Sequence, residues 1–383
     1  MGLPICFLLS ALNGFRFNYH RYPLSPPKKI MVLKFWGIGS IVLAHPLLRS
    51  LKARYPEAEI TLATLTSNRE LKDLIGEIDS LILLDLSGSI FNHFWQILHF
   101  IFKVRRARFD LVFDLEFFTR FSAIVTFLSG ARDKVGFHTW TVWRGHLHTL
   151  EIPFNRYWHI SKNFENLLGE PDPTEVGQLA PEVIERGGKL LQVKLQTIAG
   201  GSLGAYVVFN VNAGELAMER RWSPKSFAEL ADLLSVRQGL TPVLVGSASE
   251  KTYVDSVISL MESPKSAVNL AGQTSLLEMT ALFAQARLVV SNDSGPLHLA
   301  SAVGVPTVSF FGPETPLLYG PRAEQHRVFF ADLDCSPCIN AETAKTPLCR
   351  YEAPECLRSI TVAEVYRWIE ETLGTPGTPR GSS

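Results

Sequence analysis

The chain has 383 residues, 46% of them apolar and 19% charged, and its formal net charge is zero. That length fits two domains better than one and can bury substantial cores. The balanced charge removes the electrostatic case for a general nucleic-acid binder, and no apolar run reaches the about 18–20 residues that span a bilayer.

The chain opens on an apolar stretch, M-G-L-P-I-C-F-L-L-S-A-L-N-G-F. It lacks a basic leading region and an A-x-A cleavage site. It reads as a loosely ordered extension over residues 1–27 rather than a signal peptide. His20 to Lys29, with three prolines, reads as a linker into the first strand. Ile30 to Phe35 is that strand, and it runs into G-I-G-S at Gly37 to Ser40. A helix follows from Ile41 to Arg54 and stops at Tyr55-Pro56. Ile60 to Ala63, Leu81 to Leu84 and Leu111 to Asp114 are the next strands. Strand and helix alternate, which predicts a parallel sheet with helices on both faces.

Asn92 to Arg108 mixes Phe94, Trp95, Ile97, Leu98, Phe100, Ile101 and Phe102 with Lys103, Arg105, Arg106 and Arg108. One reading is a buried helix whose basic last turn suits the helix dipole. The other is an interfacial helix that touches anionic lipid.

The pattern restarts after a linker near Gln192 to Gly204. Tyr206 to Asn210, Pro242 to Val245, Val268 to Leu270 and Leu288 to Val290 alternate with helices at Pro224 to Arg237, Ser249 to Met261 and Leu276 to Ala284. A last helix runs from Val362 to Leu373. The Gly/Pro/Ser-rich tail, 374–383, reads as disordered.

Two segments carry candidate chemistry. In Ser291 to Gly312 a strand ends, Asn292, Asp293 and Ser294 supply N-cap residues, Pro296 stands where a helix begins, and Thr307 to Phe311 gives the next strand. Free backbone N–H groups and the positive end of the helix dipole would face a bound diphosphate. The plainer reading is an ordinary αβ connection. His298, one helical turn on, fits either a packed histidine or a ligand contact. By contrast, G-I-G-S-I-V is a poor dinucleotide fingerprint. Val42 stands at its third glycine position, and no acidic residue closes the next strand, where Ala63 and Thr64 lie. Cys335, Cys338, Cys349 and Cys356 cluster as C-x2-C-x10-C-x6-C. That spacing could hold zinc, form two disulfides, or be a thiol-rich loop without metal.

Taken together, several runs resemble glycosyltransferase family 9, the bacterial lipopolysaccharide heptosyltransferases. They are the strand–G-I-G opening with P-L-L-R-S-L-K-A-R-Y-P-E-A-E-I, N-V-N-A-G at Asn210 to Gly214, and R-R-W-S-P-K-S-F-A-E-L-A from Arg220. N-L-A-G-Q-T-S-L-L-E from Asn269, S-N-D-S-G-P-L-H-L-A from Ser291 and the cysteine-rich segment complete the order. The resemblance runs from about Lys28 to Leu373. It implies an α/β GT-B fold, two Rossmann-like domains facing across a cleft. The acceptor domain would cover 28–192, with the 362–373 helix packing back onto it, and the nucleotide-sugar domain 205–360.

The resemblance also implies an inverting, metal-independent transfer, with no cofactor, from an ADP-heptose-like donor to a lipid-linked glycan. The enzyme would be cytoplasmic and peripheral on the inner membrane surface. Donor contacts fall at Asn212, Gly214, Arg220, Glu250, Asp293, Ser294, Gly295, Pro296, Leu297 and His298. Arg221 or Arg220 would offset charge on the departing nucleotide. Gly39 and Ser40 lie on the acceptor side, where the family usually carries G-D. Ser40 stands at the aspartate, and a serine hydroxyl is no base without its own partner. Glu116, two residues past the Leu111 to Asp114 strand, is the replacement base the sequence offers. Its plainer reading is a helix cap or an ion pair with Arg120. Two other readings remain: a nucleotide-sugar binding protein that lost its base, and an epimerase on the same fold.

Overall fold

The computed structural model describes residues 2–13, 26–139, 141–169, 177–198, 201–339 and 349–374. The expected 374–383 tail lies outside them, apart from Gly374, as does most of the His20 to Lys29 linker. The chain divides between Gly177 and Gln178 into two compact units.

In the first unit, helix α1 (Leu3–Leu12) precedes strand β1 (Lys29–Leu33). The other strands are β2 (Glu59–Leu65), β3 (Ser80–Leu84), β4 (Leu111–Asp114), β5 (Asp133–His138) and β6 (Leu150–Pro153). They form one parallel sheet in the order β3-β2-β1-β4-β5-β6. Four helices carry much of the rest: α2 (Ile38–Val42), α3 (His45–Arg54), α4 (Ile90–Ala107) and α5 (Arg120–Leu128). Strand residues such as Met31, Leu33, Ala63 and Val112 are wholly buried, as parallel strands covered on both faces should be. Phe100 and Val104 of α4 pack onto that core.

The apolar amino terminus departs from the expectation of a loose extension. It forms α1, with a proline in the first turn, and Cys6 is fully buried beside Ala123, Ile124 and Leu147. One face of a uniformly apolar helix thus finds the α5 surface. Leu3, Ile5, Phe7, Leu8 and Leu12 stay exposed on the other.

The second unit starts with α6 (Pro181–Ile198), and its first strand is β7 (Tyr206–Asn210). After α7 (Pro224–Gln238) come β8 (Thr241–Leu244) and β9 (Val268–Asn269). Then α8 (Leu276–Gln285), β10 (Leu288–Asn292), α9 (Gly295–Ala302), β11 (Thr307–Phe311), β12 (His326–Phe330), α10 (Glu355–Arg358) and α11 (Val362–Leu373) follow. The sheet order, β12-β11-β10-β7-β8-β9, repeats that of the first unit, and every pair is parallel.

The first compact unit ends at Gly177, and 181–198 is a helix of the second unit that packs on α8. Gly187 makes that contact possible: a Cβ there would stand 2.2 Å from the Leu277 carbonyl oxygen. Lys194 adds an ion pair to Glu278 at 2.5 Å. The last helix joins the second unit's core. Its stripe of Val362, Val365, Tyr366, Ile369 and Leu373 belongs to the second unit's core with Leu230, Leu234 and Phe227 of α7. Burial of that stripe beside α7 decides its place.

The Gly187 contact sets a matched test. Gly187→Ala should destabilise the protein by about 1–3 kcal/mol through overpacking. Gly188→Ala meets only the Gln285 side chain at 3.5 Å, and helix propensity should make it neutral or stabilising by about 0.5–1 kcal/mol. Urea unfolding of the two variants distinguishes them, and equal midpoints would refute the close α6–α8 approach.

Candidate functional site

Both sheets are wound outward from a central strand, so each has one place where the winding reverses. In such sheets the crevice at that switch point, at the carboxyl ends of the strands, is where ligands bind. The switch lies between β1 and β4 in the first unit and between β7 and β10 in the second. Most of the sequence-derived site residues gather at these two places.

In the second unit the loop after β10 meets the loop after β7 through side-chain amides. Asn210 donates to Ser291 Oγ at 2.9 Å and to Ser294 Oγ at 2.6 Å. Asn292 donates to the Val211 carbonyl at 2.9 Å and accepts from the Trp222 N–H at 2.8 Å. Trp222 is wholly buried, stacks on Phe310 with ring centroids 4.2 Å apart, and donates its indole N–H to Ile360. That anchor fixes the two arginines before it. Arg220 Nη1 reaches Asp293 Oδ2 at 3.2 Å and Nη2 donates to the Ala213 carbonyl at 2.8 Å. Arg221 points its guanidinium at the Tyr253 ring, 4.1 Å from the centroid.

Some polar atoms here are buried yet unsatisfied. Arg220 Nε, Arg221 Nε and Asn212 Oδ1 have no hydrogen-bond partner among the described residues. Buried orphans of this kind are rare and mark a missing ligand or a strained site. Ser294 is the N-cap of α9, but its hydroxyl makes no cap bond. It is held by Asn210 instead, so no side chain closes the first turn of the helix. Asp293, expected as a cap, is ion-paired with Arg220.

The remaining donor-side residues divide. Gly295 and Pro296 form the half-buried start of α9, while the Leu297 side chain is wholly in the core. Glu250 accepts from the Ser247 amide and hydroxyl at 2.8 and 2.9 Å, closing a capping box. A Cβ on Gly246 would touch both Glu250 and Asn212, so these two flank one loop. Gly214 starts the turn that carries Arg220. His298 is buried, and burial outweighs the pull of Asp293 and, with Arg220, lowers its pKa to about 4. It is a neutral imidazole at neutral pH.

In the first unit, Glu116 is 2% exposed and its Oε1 collects three groups. The backbone N–H groups of Phe35 and Trp36 donate at 2.8 and 3.0 Å. Lys34 Nζ lies 3.0 Å away as an ion pair, without hydrogen-bond alignment. Oε2 has no hydrogen bond among the described residues. The expected partner, Arg120, is elsewhere and donates to the Trp143 carbonyl. Glu116 therefore clamps the segment that leads into α2, which carries buried Gly39 and half-buried Ser40. Asp114, the neighbouring carboxylate, is fully buried with Arg144, His148 and Ser122 around Oδ2. Burial opposes its charge, but Arg144 and His148 outweigh burial and hold the carboxyl below its usual range. It is spent on structure.

Lys34 and Trp222 were not singled out in the sequence. The signal for Lys34 was one charge at the end of an otherwise apolar strand. The signal for Trp222 was a large aromatic directly after two arginines.

Residues 97–348 match the family model for glycosyltransferase family 9 (heptosyltransferase). The chain belongs to that family. Lipooligosaccharide heptosyltransferase 2 of Haemophilus ducreyi is 26% identical over 313 residues, covering 78% of this chain and 87% of that protein. The Escherichia coli ADP-heptose lipopolysaccharide heptosyltransferase II superposes with a TM-score of 0.71 at 22% identity, over 90% of this chain and 98% of the other. A family 9 glycosyltransferase from Veillonella parvula gives 0.72 at 20% identity, over 92% and 99%. At such identities the structural likeness speaks for the fold, two Rossmann-like units of GT-B type. Membership makes this chain a glycosyltransferase.

The buried His298 sets a pH test. Its folded pKa is depressed, so the unfolded chain binds the extra proton first as pH falls from 6.5 toward about 4. Stability is therefore full above 6.5 and declines on acidification, by up to about 3 kcal/mol from this group. His298→Gln should flatten that decline, leaving the part due to His326, which burial also lowers to about 4. Parallel stability–pH curves for wild type and variant would show that His298 is not held neutral.

Proposed function

We propose that this enzyme transfers a heptose from an ADP-heptose-type donor to a lipid-linked, lipopolysaccharide-type glycan, with inversion and without a metal in the chemical step. The unpartnered Arg220 Nε and Asn212 Oδ1, beside an uncapped helix start at the β7/β10 switch point, carry this reading. A nucleoside diphosphate brings both kinds of partner they lack, phosphate oxygens for the Arg220 Nε–H and hydroxyl or amino donors for Asn212 Oδ1. Its phosphates accept from the first turn of α9 and from Arg220, where fixed donors stabilise charge as the nucleotide departs. Arg220, ion-paired at the start of α9, is better placed for this than Arg221, which is drawn to Tyr253.

On the acceptor side the reading gives Glu116 the base. Its Oε1 is anchored by two amides and Lys34, which fixes the carboxyl group, and Oε2 is the oxygen left to take the acceptor proton. Ser40 then contributes a hydroxyl and no basicity. The family's named relatives transfer heptose, and that favours a working transferase over a binding protein.

The acceptor's lipid asks for a membrane surface, and the first unit offers one. No helix among the described residues is long and apolar enough to cross a bilayer. Yet α4 shows two apolar faces. Phe100 and Val104 enter the core, while Phe91, Phe94, Trp95, Leu98 and Phe102 form an exposed stripe. Lys103 and Arg106 are exposed beside it. We place α4 on the anionic cytoplasmic surface of the inner membrane.

Two experiments test these assignments. With ADP-heptose and a lipid-linked acceptor, Arg220→Ala should lower kcat about 100-fold or more, and Glu116→Gln about 10²–10⁴-fold with donor affinity kept. A larger loss in Arg221→Ala than in Arg220→Ala would reverse the first assignment, and full turnover in Glu116→Gln would make that residue purely structural. For the membrane, changing Lys103 and Arg106 to Gln should weaken binding to phosphatidylglycerol vesicles by about 1 kcal/mol per charge. Absence of wild-type flotation at low salt would remove the membrane role from α4.

A further inference from the structure

Four of the chain's five cysteines, Cys335, Cys338, Cys349 and Cys356, line one cavity of about 80 Å3 in the second unit. All four are free thiols. The C-x2-C turn at 335–338 is pinned to the end of β11. The Cys338 and Ile339 amides both donate to the Pro313 carbonyl, at 3.0 and 2.7 Å, and Ser336 Oγ donates to the Gly312 carbonyl at 2.6 Å. Cys356 comes from α10 on the other side, and its sulfur sits against Gly312, where a Cβ would stand 2.6 Å from Sγ. A glycine at that point lets the buried sulfur enter. The C-x2-C turn, Cys349 and α10 thus deliver thiols to one small space.

We propose that these four cysteines bind one thiophilic divalent cation, zinc by ligand set, as a structural site. A tetrahedral ion takes four thiolates at about 2.3 Å each, and soft sulfur ligands select such an ion over magnesium or calcium. The cage is open as it stands: no three Cys, His, Asp or Glu among the described residues reach metal-binding geometry together. Binding closes the exposed Cys338 and Cys349 onto the buried Cys356. Four metal–sulfur bonds form, and the thiol protons pass to solvent. The ion takes no part in glycosyl transfer. Glu219 lines the same cavity and directly precedes Arg220, so the closed site would stiffen the segment that carries Arg220.

The test uses the full chain, purified under reductant without chelator, and its outcome is independent of any transferase assay. Elemental analysis should find about one equivalent of zinc per chain. Loading the metal-stripped protein with Co2+ should produce a thiolate-to-cobalt charge-transfer band, and adding Zn2+ in weak buffer should release protons. Cys335→Ser with Cys338→Ser should abolish band and proton release, while Cys6→Ser keeps both. Should the double variant misfold, chelator removal and Zn2+ return on wild type, followed by thiol alkylation rates, reads the same site: bound metal protects the four thiols. No bound metal with no cobalt band overturns the proposal. So do disulfides among these cysteines in freshly isolated protein, or alkylation unaffected by Zn2+.

Discussion

A parallel sheet wound outward in both directions from its first strand must leave a gap where the winding reverses. Each right-handed crossover covers one face, and the two crossovers that start at the central pair leave on opposite sides. The loops after β1 and β4, and after β7 and β10, therefore end beside a crevice that no helix fills. This constraint decides where chemistry can reside before any functional residue is chosen. It explains why Lys34, Glu116 and the α2 turn share one neighbourhood, and why Asn210, Asp293 and Arg220 share another.

Each crevice handles buried charge in its own way. At β1/β4 a carboxylate and an ammonium are almost wholly buried together, and two backbone amides join the ammonium on one carboxylate oxygen, while Lys34 Nζ makes no hydrogen bond among the described residues. At β7/β10 the Arg220–Asp293 pair leaves Arg220 Nε without an acceptor, and Asn212 Oδ1 beside it lacks a donor, among the described residues. The first arrangement gathers its donors on one carboxylate oxygen and holds a loop in place. The second is incomplete and suits a ligand that brings acceptor oxygens to the arginine and a donor to the amide.

Much of this fold was legible in the sequence because buried parallel strands are short apolar runs. The strands now numbered β1 to β4 and β7 to β11 were all found that way. Three were missed, β5 (D-K-V-G-F-H), β6 (L-E-I-P) and β12 (H-R-V-F-F). β6 and β12 are edge strands, and all three are only partly buried and carry charges or glycine. The unit to which two helices belong was hidden for another reason. Whether α6 and α11 serve one unit or the other depends on which surface receives their apolar stripes, and local periodicity is the same in both cases. The glycine loop at Asp293 and the carboxylate at Glu116 were visible as residue types at strand ends. Their partners were not, since Asp293–Arg220 and Glu116–Lys34 join positions 73 and 82 residues apart (293 minus 220, 116 minus 34).

The Lys34–Glu116 pair also bears on why a carboxylate sits there at all. Removing two charges from water costs several kcal/mol per ion, and a buried pair seldom repays more than that cost. An apolar pair of similar volume would serve stability as well. What apolar side chains cannot do is accept the Phe35 and Trp36 amides, which leave the β1 ladder at this point and have no other acceptor. The carboxylate satisfies both with one oxygen, and the lysine balances its charge. The backbone that enters α2 is thereby held in a single path, and Ser40 is presented in a fixed position. The second oxygen is left over from that arrangement. A proton acceptor there would be a by-product of a structural clamp.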